Sequence, residues 1–490
     1  MDDIVELSVG RLQAALASGE LTSARLTEMY LKRIDSVRVP GGAPLNAVRE
    51  TNPDALSIAA ALDRERQEGR IRSPLHGMPI LLKDNIGSAD AMRTTVGVHA
   101  LGDLRTPFDA AVVARLRAAG AVVLGKCNCP DFCDYMASTM PSGHSTTGGT
   151  IGHPYGMSYG RGGGSSTGVA AAVAASLAAA GVGSETQNSI QAPCSNSSLA
   201  GIKPTVGLVS RAGMAPLAIS QDTAGPIARS VRDAAILLSV IAGPDMLDTM
   251  TLSAAGALHP DYSRYCVDGA LAGARIGVAR REFFGREGKA LHDAVANRAI
   301  AAMRDAGALI VDPADIPSAP ELMPLASRVF RTDFKAGLNA FLQRCGDRTA
   351  MHSMRHIVEY NQRHGMAAIP YGQDLLLAAQ ETAGDWSEPE YHADRARDIR
   401  LSRAEGIDRA LAAHELDAIV VPMDHASKLT GKAGYPAVTV PCGYVGEGPG
   451  KGAPVGLTFI GTAWSEPKLI GMAHAFEQCV AARRPPQLSS

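Results

Sequence analysis

The segment Arg161-Gly162-Gly163-Gly164-Ser165-Ser166-Thr167-Gly168 combines backbone freedom with a cluster of hydroxyls, and it reads in three ways. The plainest is a flexible loop leading into a helix. A phosphate cradle would need Lys followed by Ser or Thr at the loop's end, or glycines at dinucleotide spacing directly after an apolar strand. Neither is present, and His153-Pro154-Tyr155 ahead of the run is not such a strand. The third reading joins Ser165 to two distant residues. Lys83 follows the apolar Ile80-Leu81-Leu82, and Ser189 lies twenty-four residues beyond Ser165. A serine hydroxyl is a poor nucleophile without an adjacent base, and lysine is a base only where its surroundings disfavour the ammonium. Lys83, at the end of an apolar strand and under a glycine-rich loop, is placed for that. Taken singly, each serine reads as a turn or cap hydroxyl and Lys83 as a solvated strand end.

Other reactive side chains read more plainly. Cys127-x-Cys129-x3-Cys133 lacks the paired C-x2-C spacing and second ligand pair of a zinc site, so packed thiols and no metal are expected. His352 and His356 share a helix face with His364 further on, but no H-E-x-x-H arrangement accompanies them. Asp222 and the pair Asp424-His425 are possible partners for a serine, with Asp222 the better candidate for ordering the Ser189 loop.

These residues need a scaffold. The 490-residue chain is 46% hydrophobic and 20% charged, an ordinary globular balance. With 47 Lys plus Arg against 49 Asp plus Glu it lacks the basic excess of a nucleic-acid binder. The acidic opening MDDIVELSVG carries no basic signal region, and scattered cysteines suggest no disulfide framework, so a cytoplasmic setting is expected. The longest apolar run, Val169 to Gly183, is too short to span a membrane and reads as a buried helix. Ser8 and Gly19 bracket one helix, Thr22 or Ser23 begins a second, and Ser230 begins a third that ends at Gly243. A strand at Ile80–Leu82, a helix over 111–119 and a strand at Ala121–Leu124 follow one another. This alternation predicts an α/β fold, a sheet covered by helices on both faces. Amphipathic helices dominate 285–415, and strands over 275–279, 417–421, 435–441 and 455–460 complete the sheet. No linker is long enough to divide the chain, so 1–490 is expected to be a single domain.

Several separated segments, in order, resemble the amidase signature hydrolases. They are Gly77-Met78-Pro79-Ile80-Leu81-Leu82-Lys83-Asp84-Asn85, the glycine-serine run, the Ser184–Gln191 stretch, Gly201-Ile202-Lys203-Pro204-Thr205-Val206-Gly207, Gln221-Asp222-Thr223-Ala224-Gly225-Pro226, and Gly434-Tyr435-Pro436-Ala437-Val438-Thr439-Val440-Pro441. Together they reach from about 20 to 480. The resemblance implies that the sheet is mixed and twisted, with a signature core over about 70–245, a variable helical segment over 285–415 and C-terminal strands over 416–462. It also implies a Ser–Ser–Lys triad: Ser189 as nucleophile, Ser165 (after a cis Gly164–Ser165 peptide) as bridge, and Lys83 as base. Backbone N–H groups of Thr186, Gln187, Asn188 and Ser189 would form the oxyanion hole.

Where such proteins usually carry two glycines before the nucleophile, this chain has Gln187-Asn188; the Arg two positions after it is Gln191, and the preceding acid is Glu185. These features are more like peptide amidases and aryl-acylamide or carbamate hydrolases than the subunit that transamidates charged tRNA. The substrate wall is expected from Ser138, Thr139, Met140, Gln191, Cys194 and helices between about 320 and 380. The resemblance thus implies a cofactor-independent hydrolase of small neutral amides, anilides or urethanes (carbamates), a monomer or homodimer without nucleic-acid or membrane partner. A transamidation-type protein that works with a partner chain, or a nucleotide-binding protein using the glycine-rich loop, are the alternatives.

Overall fold

The computed structural model describes residues 3–448 and 450–489. Its centre is an eleven-stranded mixed sheet. In chain order the strands are β1 (Val48–Thr51), β2 (Pro79–Lys83), β3 (Val122–Cys127), β4 (His144–Ser145), β5 (Gly149–Thr150), β6 (Ala180–Glu185), β7 (Ala200–Lys203), β8 (Thr223–Ala228), β9 (Arg275–Val278), β10 (Leu309–Val311), β11 (Ala418–Pro422), β12 (Ala437–Tyr444) and β13 (Pro454–Ile460). β4 and β5 form a separate small hairpin; the others run in the order β1-β3-β2-β6-β8-β7-β12-β13-β11-β9-β10. β2 pairs parallel with β3 and β6, whereas β6, β8, β7, β12 and β13 pair antiparallel in succession. Single α/β body, mixed sheet and helical cover are as expected.

Helix boundaries follow local chemistry. Ser8 caps Val9–Ser18 by accepting from the Arg11 amide, and Gly19 ends it in the left-handed conformation. Thr22 caps Ser23–Ser36, and Ser230 caps Val231–Ile241.

The alanine run is where expectation and structure part. Val169 to Gly183 does not form one helix: the helix is Thr167–Ala174, Ser176 turns at φ 54°, and the chain re-enters the sheet as β6. Alanine favours helix, but β6 is hydrogen-bonded on both sides and fully buried, and that tertiary pairing prevails. Small residues let the helix lie directly on the sheet. A Cβ at Gly181 would stand 2.6 Å from Val169 Cγ1, and one at Gly183 would stand 2.7 Å from Ser166 Oγ. This close seat carries the glycine-rich loop, at the helix's N-terminal end, down onto the ends of β2 and β6. No helix among the described residues is long and apolar enough to cross a membrane.

Candidate active site

Lys83 is the last residue of β2, a strand buried at every position. Its Nζ, wholly out of solvent, donates to Ser165 Oγ at 2.7 Å, Ser184 Oγ at 3.0 Å and the Ser184 carbonyl at 3.3 Å. All three partners are uncharged oxygens. Ser165 Oγ in turn donates to Ser189 Oγ at 2.9 Å. The lysine and the two serines therefore lie in one unbroken hydrogen-bond chain. The Gly164–Ser165 peptide is cis. Gly164 is glycine for want of room: a Cβ there would meet Asp134 Oδ2 at 2.6 Å and Thr167 Oγ1 at 2.8 Å.

The loop between β6 and the short helix Gln191–Asn196 carries Ser189. Glu185 shapes it from below, its carboxylate accepting from the amides of Ile190 at 2.7 Å and Gln191 at 2.9 Å; burial raises this carboxyl above the usual glutamate range. Asp222 shapes it from the side. Its Oδ1 accepts from Thr186 Oγ1 at 2.5 Å and its Oδ2 from the Leu217 amide at 2.9 Å, while burial raises its pKa also. From above, the Ser166 amide donates to the Ser189 carbonyl at 3.0 Å.

Among the described residues, the backbone N–H groups of Thr186, Gln187, Asn188 and Ser189 find no protein acceptor. Thr186 and Ser189 are buried and Gln187 and Asn188 partly exposed; four successive N–H groups without a protein acceptor, in residues that line a cleft, can receive an anion. Neither Gln187 nor Asn188 has a positive φ, which explains why side chains fit where glycines are usual.

Ser189 opens on a cleft of about 460 Å³. Ser138 and Met140 line it, and Phe330 and Leu375 contribute from the helices beyond 285. Thr139 does not; its hydroxyl donates to the Tyr371 carbonyl at 3.1 Å on the exposed side. The expectation for Gln191 and Cys194 is corrected by the fold. Gln191 is buried with its amide on Glu185 Oε1 at 2.5 Å and on Thr430 Oγ1 at 3.2 Å. Cys194 is fully buried and packs against β7, so close that a Cβ at Gly201 would lie 2.4 Å from its sulfur. Both follow Ser189 in sequence, but the helix that begins at Gln191 turns them into the core.

Of the other reactive side chains, Cys127 and Cys129 are buried and Cys133 borders the cleft. Among the described residues no group of three His, Cys, Asp or Glu is arranged to hold a metal. His352 and His356 are exposed but do not share a helix face: the helix is Met354–His364, capped by Ser353, and His352 lies ahead of it with its amide donating to His356 Nδ1 at 3.3 Å. His425 pairs with the Phe283 carbonyl at 2.7 Å, while Asp424 Oδ2 accepts from Asn188 Nδ2 at 3.2 Å. Sequence reading gave no role to Ser184, although it opens the Ser184–Gln191 stretch, and missed Asp134, which carries no motif, and Phe330 and Leu375, which lie in the segment of weakest pattern.

A family model described as Amidase matches residues 25–432. The chain is similar to peptide amidase from Stenotrophomonas maltophilia, with 42% identity and a TM-score of 0.91 over 99% of both chains. It is similar to an amidase family protein from Bacillus anthracis at 32% identity and a TM-score of 0.89, over 99% of this chain and 93% of that one. A putative amidase of Arthroderma benhamiae is 36% identical over 502 residues, 98% of this chain and 83% of that protein. A glutamyl-tRNA(Gln) amidotransferase component from Chloroflexus aurantiacus is 33% identical over 499 residues, 98% of this chain and 97% of that protein. By sequence and by fold, the chain belongs to the amidase signature family of amide-hydrolysing enzymes.

Proposed function

We propose that the protein hydrolyses small neutral carboxamides through a covalent Ser189 intermediate, with anilides and carbamates as carbonyls of the same geometry. The observation that carries this reading is the continuous chain from Lys83 Nζ through Ser165 Oγ to Ser189 Oγ, at 2.7 and 2.9 Å. For attack, the two hydroxyl protons turn round: Ser189 donates to Ser165, and Ser165 donates to the Lys83 amine. Ser189 Oγ forms a bond to the carbonyl carbon while its proton passes along this relay. The carbonyl oxygen takes up negative charge against the free N–H groups of residues 186–189. Collapse breaks the C–N bond, and the relayed proton returns through Ser165 to the departing nitrogen. Water, activated by the same relay, then cleaves the acyl or carbamoyl ester and restores Ser189.

The likeness to a peptide amidase over 99% of both chains supports carboxamides as the first substrates to test. The likeness to an amidotransferase component supports a second reading, transamidation with a partner chain; copurification of that chain and of tRNA is its signature. A fluorophosphonate probe tests the first reading. Ser189 should take the label, Ser189→Ala should lose label and hydrolysis together, and Lys83→Met should keep the fold while losing about 10²–10⁴-fold in rate. Label on another residue, or full turnover without Ser189 or the Lys83 amine, would exclude it.

A further inference from the structure

Cys133 borders the Ser189 cleft, and the proposed mechanism does not use it. Among the described residues Cys479 is the one exposed cysteine, and Cys133 is the one that lines the cleft. The backbone carries it there. Phe132, Cys133 and Asp134 have φ of 44°, 56° and 73°, three successive non-glycine residues in the left-handed region. L-residues visit that region singly, and such outliers persist where surrounding structure imposes them, often at functional sites. The Cys133 amide donates to the Pro130 carbonyl at 2.8 Å, so the chain folds back towards Cys129.

The two thiols meet. Cys129 and Cys133 are hydrogen-bonded to one another, and Cys133 is also in hydrogen-bond contact with the hydroxyl of Ser165, the bridge of the proposed relay. They are not equivalent. Cys129 is wholly buried, whereas Cys133 keeps 8% of its surface open. The bond from Cys129, reinforced by Lys83 and Ser165, holds the Cys133 thiol below the usual thiol range against the effect of burial, while Cys129 is pushed above it. An attacking thiol needs thiolate character and access; the thiol that resolves it needs contact.

We propose that Cys133 and Cys129 form a peroxide-reactive dithiol at the cleft, whose disulfide slows the enzyme by drawing the Cys133 sulfur away from Ser165. The effect on rate rests on the amide-hydrolase reading above; the disulfide itself does not. Cys133 sulfur attacks one oxygen of hydrogen peroxide, the O–O bond breaks, and the departing hydroxide leaves as water with the thiol proton. Cys129 sulfur then attacks the Cys133 sulfenic acid. The S–S bond forms, the S–O bond breaks, and the hydroxide leaves as a second water with the Cys129 proton. Two thiols are oxidised and one peroxide is reduced to two waters.

The whole protein is treated with hydrogen peroxide, and remaining thiols are alkylated with iodoacetamide in denaturant. Trypsin then releases residues 127–161, which hold Cys127, Cys129 and Cys133. After peroxide this peptide should carry its alkyl group on Cys127 and a bond between Cys129 and Cys133. The wild-type kcat should fall by about twofold to tenfold, the weight of one hydrogen bond on the bridging hydroxyl, and dithiothreitol should restore it. Cys133→Ala should keep its own untreated rate through peroxide, whereas Cys479→Ser should lose rate as the wild type does. In Cys129→Ala, which lacks the resolving thiol, dimedone should label Cys133. A treated peptide with all three cysteines alkylated, a bond through Cys127, or no dimedone on Cys133 would overturn the dithiol. A Cys129–Cys133 bond with an unchanged rate, in a protein whose Ser189 takes the fluorophosphonate label, overturns the effect on the enzyme and leaves the hydrolase reading standing. A wild type that does not label at Ser189 overturns that reading and the rate effect together, and the peptide mass still decides the disulfide.

Discussion

Asn188 Nδ2 donates to the Gly162 carbonyl at 2.8 Å, lacing the nucleophile loop to the glycine-rich loop that carries Ser165. The same nitrogen reaches Asp424 Oδ2 at 3.2 Å, so three separate stretches of chain meet at one side chain. This is what the chain has gained by holding asparagine where relatives of its family usually hold glycine. The proposed oxyanion donors are backbone groups and remain whichever side chain stands there; what the asparagine adds is a tie between the loops that carry the two serines.

Asn188→Gly should therefore slow the enzyme without abolishing it. A hydrogen bond to a neutral carbonyl is worth about 0.5–1.5 kcal/mol net, which corresponds to about a twofold to tenfold fall in kcat if it is felt in the transition state. KM should change less than kcat, because the Asn188 side-chain nitrogen, although on the cleft, is already engaged by Gly162 and Asp424 and not by substrate. Steady-state kinetics on a single carboxamide check this, and an unchanged kcat would show that the lacing does not reach Ser189.

Asp222 supports the loop more heavily. It takes the Thr186 hydroxyl and the amides of Leu217 and Ala218 on one buried carboxylate. Asp222→Ala strands all three donors, and each buried donor left unpaired costs about 1–3 kcal/mol. Thr186 is thereby freed from its anchor, so kcat should fall by more than about tenfold and thermal stability should fall with it. Asp222→Asn, able to accept on one oxygen, should lie between. Equal kcat in the wild type and Asp222→Ala would mean that Glu185, the Ser166 amide and Asn188 hold the loop without it.

How far the site could be read from residues alone follows from what each residue does. Lys83, Ser165 and Ser189 stand in segments with rigid local demands: a buried strand end, a loop too cramped for a Cβ at Gly164, and a turn whose amides must stay free. Those demands leave a motif. The strands β2, β3, β11, β12 and β13 were legible as apolar runs, and the capped helices through Ser8, Thr22 and Ser230. β6 was not, because its Ala-Gly-Val-Gly composition has no strand signature and becomes a strand only through neighbours on both sides. β8 was obscured by Pro226 at its middle, a residue that argues against an interior strand. The cleft wall was the least legible. Gln191 and Cys194 are near Ser189 in sequence and point away from the cleft, whereas Phe330, Leu375 and Asp134 line it from distant segments. Nothing in Phe-Cys-Asp announces three left-handed residues in succession.

Asp131, immediately before that turn, gives the fold a pH dependence of definite sign. It is 2% exposed, accepts from the Thr146 amide at 2.8 Å and the Thr146 hydroxyl at 3.1 Å, and burial lifts its carboxyl from 3.8 to about 8. Between those values the folded chain holds a proton that the unfolded chain has released. Stability from this group is fully present below about pH 4 and is lost as pH rises through about 8. Other buried acids, such as Glu477 at about 8, act in the same direction, so the wild-type slope alone does not isolate Asp131. The comparison with Asp131→Asn does. The variant has no proton to release, so its unfolding temperature relative to the wild type should rise from about pH 5 to about pH 8.5 at constant ionic strength and scan rate. A difference between the two proteins that stays constant, or that moves in favour of the wild type as pH rises, would mean that Asp131 is ionised in the folded state and that the Thr146 donors outweigh its burial.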